Sequence, residues 1–161
     1  MPSFDVVSKV NHAEVDNALN QSIKEIATRF DFRSTNTTIE KNAEGIVVVS
    51  NSEGRIEAAL DVLRSKLVKR GVSLKHLDPQ KVGKTSKGAV RQLIKIKEGI
   101  EREHARALLE LVKGAKLKVT AAIQEDAVRI TGKNKDDLQA AIRLLREQEL
   151  EFEAQYVNFR D

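Results

Sequence analysis

Two stretches carry side chains that could hold a phosphate. The first is KVGKTSKGAVRQLIKIK, residues 81–97. It contains Lys81, Lys84, Lys87, Arg91, Lys95 and Lys97 and no acid. These are six of the 28 Lys and Arg residues. The other 22 stand against 24 Asp and Glu, so the basic character of the chain is local. A local basic patch attracts an anionic partner. Lysines on a linker or edge strand also prevent aggregation, and the residues leave both readings open. The second stretch is RITGKNKDD, residues 129–137, where a strand pattern turns into a helix pattern. Free N–H groups at a helix start can bind phosphate. Here Asn134 can cap the helix, and Asp136 and Asp137 suit the positive end of its dipole while repelling a phosphate. Capping therefore accounts for the turn, and Lys133 and Lys135 remain able to support an anion site beside it.

Other chemistries lack their residues. VGKT, residues 82–85, ends like a phosphate-binding loop, but the first glycine of that motif is replaced by Asp78 and a strand pattern follows instead of a helix. The turn GKNK lacks the second glycine of a G-x-x-G nucleic-acid clamp. There is no cysteine, so disulfides and thiolate zinc sites are excluded. His12, His76 and His104 are scattered, and no metal-ligand spacing is present. No serine sits in a G-x-S-x-G setting, and the acids fall mostly at salt-bridge spacing on helices. No catalytic residue, metal or cofactor is expected. Aromatics are 4% of the chain, with no Trp, which provides poorly for base stacking.

The elements that would position these cations follow from periodicity. The chain has 161 residues, 40% of them hydrophobic, enough for one ordinary domain or two small ones. No apolar run reaches the roughly 18 residues of a membrane span and no signal peptide is visible, so a cytoplasmic protein is expected. Residues 4–10 alternate as a strand. Asn11 and Glu14 form a capping-box-like pair before a stripe of Val15, Ala18, Leu19, Ser22, Ile23, Ile26, Ala27 and Phe30. TTIEKN and GIVVVSN flank a turn and predict a hairpin. A second helix buries Ile56, Ala59, Leu60, Leu63 and Leu67, ends at Gly71, and leads to a short strand closed by Pro79. The same order then repeats, with the strand AVRQLIKIK, a helix carrying Ala105, Leu108, Leu109 and Val112, the strands KLKVTAAI and AVRIT, a helix burying Leu138, Ala141, Ile142 and Leu145, and a last strand YVNFR.

The order βαββαβ, twice, predicts an α+β chain of two ferredoxin-like domains, each an antiparallel four-stranded sheet with helices on one face. A linker is expected near 78–88, where Pro, Gly, Lys and Ser cluster. The open faces would show Lys116, Lys118, Thr120, Arg129 and Thr131, joined by Tyr156 and Arg160, and elsewhere Arg91, Lys95 and Lys97. Such faces suit RNA phosphates, although the aromatic RNA-recognition pattern is absent. They could equally pack against another surface.

SFDVVSKV, KEIATRFDFR, KRGV, AVRQLIKIKEGI, KLKVTAAIQEDAVRITGKNKDDLQ and the terminal NFRD occur in order over nearly the whole chain and together resemble the bacterial YajQ family. The resemblance implies a cytosolic protein with exchanged first strands, so that residues 11–98, with a strand near 88–97, form the first domain and residues 1–10 plus 99–161 the second. It implies nucleotide binding without catalysis. Some members act as cyclic di-GMP receptors through partners such as transcription factors, and RNA binding has been suggested. A homo-oligomer is kept open. No ligand set comes with the family. The candidates, chosen on charge and membership of the matching stretches, are Arg29, Arg33, Arg70, Arg91, Lys95, Lys97, Arg129, Lys133 and Arg160. RFDFR is also readable as a structural turn with Phe30 and Phe32 in the core.

Overall fold

The computed structural model of the chain describes residues 1–161. Strand β1 (Ser3–Val7) is buried along its whole length. Asn11 caps helix α1 (His12–Thr28) by accepting the Glu14 N–H at 3.3 Å. The Glu14 carboxylate does not complete a capping box. It accepts from Asn17 and Arg70 instead. Val15, Ala18, Leu19, Ser22 and Ile26 are buried, and the Ser22 hydroxyl donates to the Ala18 carbonyl. The buried stripe is narrower than expected, with Ile23 and Ala27 exposed, and it ends at Ile26. Arg29 is extended and Phe30–Phe32 forms a 3-10 turn, so the helical period ends before it can bring Phe30 inward. Phe30 is 78% exposed, whereas Phe32 is buried.

Strands β2 (Thr38–Asn42) and β3 (Gly45–Ser50) form the expected hairpin. Gly45 has φ 144°, and a Cβ on it would lie 2.4 Å from the Ile94 carbonyl oxygen, so only glycine fits. Ser52 caps helix α2 (Glu53–Lys69). That helix ends in a Schellman motif, with Gly71 at φ 75°, its N–H on the Val68 carbonyl and the Val72 N–H on Leu67. A 3-10 turn leads into β4 (Leu77–Pro79), β5 (Gly83–Lys84) and β6 (Val90–Ile96). The second half adds α3 (Arg102–Gly114), β7 (Val119–Gln124), β8 (Ala127–Gly132), α4 (Lys135–Arg146) and β9 (Gln155–Arg160).

All pairing is antiparallel. One sheet runs β7-β8-β1-β9; the other runs β2-β3-β6-β4, with β5 also on β6. The two βαββαβ repeats thus exchange their first strands. β1 lies between β8 and β9, and β6 between β3 and β4. The unit of residues 10–97 buries Ile39, Ile46, Val48 and Ile94 of its sheet with the inner stripes of α1 and α2. The unit of residues 1–9 and 98–161 buries Phe4, Val6, Val128 and Ile130 with α3 and α4.

Segment 78–88 is not a linker. It folds back on β6 through β4 and β5, and the Gln80 N–H donates to the Leu93 carbonyl at 2.8 Å. The free edge of β6 needs partners for its backbone groups, and this nearest piece of chain supplies them. The chain passes between the units at residues 9–10 and 97–98.

Candidate functional site

Two of the nine candidate cations meet in a pocket of the 10–97 unit. The pocket has a volume of about 410 Å³ and lies where α1, the 3-10 turn and β2 converge. Its apolar lining is Ile23, Ile26, Ala27, Phe32 and Ile39; its polar lining is Arg29, Arg33, Asn36, Thr37 and Thr38. Arg29 is held by acids. It donates to both oxygens of Asp31, at 2.7 and 3.0 Å, and to Glu25 at 3.2 Å. Its guanidinium also lies over the Phe32 ring. Arg33 has no acid partner; it lies over the exposed Phe30 ring, 5.2 Å from its centre. Of the two, Arg33 has the more charge left for a ligand.

The loop that closes this pocket is built stiffly. Ser34 and Asn36 both take positive φ, 59° and 54°. Between them Thr35 is buried; its hydroxyl donates to the Phe32 carbonyl and contacts Thr37, which in turn contacts the Ser50 hydroxyl. The Asn51 N–H donates to the Thr35 carbonyl. Left-handed non-glycine residues cost energy and persist where surrounding bonds over-determine them, often at binding sites. Asn36, Thr37 and Thr38 were not among the candidates. The run STNTT after RFDFR, rich in hydroxyls and an amide, is the signal that could have found them.

The β6 residues form a different surface of the same unit. Pairing Ile46 with Ile94 and Val49 with Arg91 sends Arg91 and Lys95 to the face opposite the helices. Both are exposed. Lys95 stands across from Asp78, and Leu93 with its cross-strand partner Val47 lies between the two cations. Lys97 lies past the end of the strand and is half-buried; its N–H donates to the His76 carbonyl, and the buried His76 ring donates through Nδ1 to the Lys97 carbonyl. His76 is thereby accounted for as a structural residue. Arg70 belongs to neither surface. It caps α2 and reaches to Gln21 and Glu14 on α1.

In the other unit Arg129 and Arg160 are joined by Asp5. Arg129 Nε donates to Asp5 at 2.9 Å, Asn158 at 2.9 Å and Arg160 at 3.4 Å. Burial alone would push the Asp5 carboxyl up, but these donors outweigh it and hold its pKa below the usual value. The cluster lies on the face of the sheet opposite the helices, since Asp5 alternates with the core residues Phe4 and Val6 and pairs with Arg129 in register. Asp5 was missed, although an acid inside an otherwise apolar strand marks a residue that must have partners. Tyr156 does not join this face. It pairs with Val6, meets Phe4 edge-on and carries Arg146 over its ring, all on the helix side. Lys133 is exposed and lines a second pocket of about 510 Å³ with Lys118, Thr120, Thr131 and Asp137. Asn134 accepts the Asp137 N–H at 3.0 Å, so the turn is a helix cap. No group of His, Asp and Glu is placed to hold a metal ion.

Residues 2–160 match the family described as "Nucleotide-binding protein YajQ-like". Similar proteins span the full chain. A nucleotide-binding protein of Anaeromyxobacter sp. (strain K) is 55% identical over 100% of both chains. One of Trichlorobacter lovleyi is 48% identical, again over 100% of both. One of Alkaliphilus oremlandii is 45% identical over 98% of this chain and 97% of its own.

Proposed function

The chain belongs to the YajQ-like nucleotide-binding protein family, and on that premise we propose that it is a non-catalytic receptor for a guanine nucleotide, cyclic di-GMP or a close relative, that acts through protein partners. The observation that carries this reading is the Arg29–Arg33 pocket. Its volume lies within the roughly 300–1,000 Å³ of small-ligand sites, and it has their make-up, an apolar floor with a few convergent polar groups. Arg33, without an acid partner, suits a phosphate. A guanidinium fork also matches the O6 and N7 acceptors of guanine, and the Asn36 amide and Thr hydroxyls can read the rest of a base edge. Phe30, exposed beside Arg33, offers an aromatic face. Ile23 is exposed as well, so a bound nucleotide would sit in a surface that a partner can read together with it.

Calorimetric titration of the whole protein with cyclic di-GMP, GTP and ATP tests the reading. A guanine ligand should bind more tightly than ATP, and Arg33→Glu should abolish binding while leaving the melting temperature unchanged. Equal binding by Arg33→Glu would exclude the pocket. Nucleotide incubated with the protein should stay unhydrolysed.

A second reading, RNA binding, rests on Arg91 and Lys95, two exposed cations on one sheet face. It is the weaker of the two, because no aromatic residue stands among them and Asp78 faces Lys95.

A further inference from the structure

Four strand edges end the two sheets, and one of them lacks any device against further pairing. β2 carries Glu40 and Lys41. The edge formed by β4 and β5 is two short pieces with Pro79 and Lys84. β9 has a register shift against β1 and a left-handed Asn158. β7 is VTAAIQ, six residues without charge, Pro or Gly, in unbroken register with β8 from Val119–Gly132 to Gln124–Ala127. Long uncharged edges are templates for another strand, and proteins ordinarily blunt them.

The hairpin geometry says which groups are offered. Gln124 and Ala127 flank a two-residue turn, so they form a hydrogen-bonded pair, and alternation directs the amides of Gln124, Ala122 and Thr120 toward β8. The N–H and C=O groups of Val119, Ala121 and Ile123 then point away from the sheet. Beneath this edge lies a groove of about 420 Å³ between β7 and α3, with Leu109, Val112 and Leu117 in its lining.

We propose that a second copy of this chain adds its own β7 here, antiparallel, about a two-fold axis through Ala121. That register sets Val119 opposite Ile123 of the second copy and Ala121 opposite itself, so every outward amide finds a partner. The occupant is argued from charge. Lys116 and Lys118 stand just before β7, and Glu125 and Asp126 stand just past its end, all four exposed. Antiparallel self-pairing brings the lysines that precede each strand toward the acids that follow the other. Parallel pairing would set like against like. The interface belongs to residues 98–161, whereas the proposed nucleotide pocket belongs to residues 10–97, so each stands or fails without the other.

Sedimentation of the full chain over a dilution series tests it. The wild type should dissociate from dimer to monomer on dilution. Ala121→Pro removes an outward N–H that the sheet does not use, and should be monomeric with an unchanged circular-dichroism spectrum. Two charge variants keep the test valid if that one misfolds. Lys116→Glu/Lys118→Glu and Glu125→Lys/Asp126→Lys should each lose the dimer alone, and should form a mixed dimer when combined. A wild type that stays monomeric throughout would overturn the proposal, as would charge variants that dimerise alone or fail to pair when mixed.

Discussion

Asp5 shows most plainly how one side chain is committed by its neighbours. A buried acid on an apolar strand is tolerable because Arg129, Asn158 and Arg160 donate to it. Its folded pKa lies below the unfolded value of about 3.9, so the group contributes stability that is fully present above that value. This contribution is lost as pH falls through the lower, folded pKa. Asp5→Asn should cost about 1–3 kcal/mol at neutral pH, since charged hydrogen bonds are lost, and should flatten the acid limb of a denaturation-midpoint curve. An unchanged acid limb would show that Asp5 is not the group responsible. Phe30 and Phe32 make the opposite contrast. They read alike in RFDFR, yet the extended Arg29 sends Phe30 into solvent and Phe32 into the core. Phe32→Ala should therefore cost about 3–5 kcal/mol in urea unfolding. Phe30→Ala should leave stability unaltered and, on the proposed function, weaken nucleotide binding.

Among the elements, the exchanged strand has the largest structural consequence. β1 lies between β8 and β9, so removing residues 1–10 takes out an inner strand and leaves backbone groups on both neighbours without partners. The truncated protein should be insoluble or melt far below the full chain; equal melting would contradict the observed pairing. At α4, Asn134→Ala should cost about 1 kcal/mol through the lost cap and leave ligand affinity alone. Periodicity made most of this legible. The inner faces of α2 and α4 were readable as stripes, and the caps at Asn11 and Asn134 as short polar residues before them. What periodicity cannot reveal is which sheet a strand joins, because alternation is the same in either; the exchange came from resemblance alone. Segment 78–88 looked like a linker because Pro, Gly and Lys mark loops and blunted edge strands alike. The pocket was half legible. Arg29 and Arg33 stood out by charge, while Thr37 and Thr38 were hidden in a β-rich run and Asn36 in a loop whose left-handed backbone no composition shows.

For the molecule as a whole, the nine candidate cations divide between the two units, and within each unit they fall into small separate groups. Arg29 and Arg33 share a pocket, Arg91 and Lys95 share a sheet face, Arg129 and Arg160 share Asp5, and Arg70 braces two helices. Such scatter suits a small ligand with a few phosphates better than a long polyanion. An RNA on the β6 face should show steep salt dependence, with a slope of about 0.7 per neutralised phosphate, and should be lost on Arg91→Glu/Lys95→Glu/Lys97→Glu. A cyclic dinucleotide in the Arg33 pocket should show shallow salt dependence and be indifferent to that triple change, which KCl titrations of both ligands would check. The most direct test of the central claim is a two-dimensional amide NMR titration of the full chain with cyclic di-GMP. Saturable shifts should concentrate on residues 23–39, with the Arg33 and Asn36 side chains among them, while the amides near Asp5, Arg129 and Arg160 stay in place. Shifts confined to β6 or to the Asp5 cluster, or no shifts at saturating ligand, would contradict it.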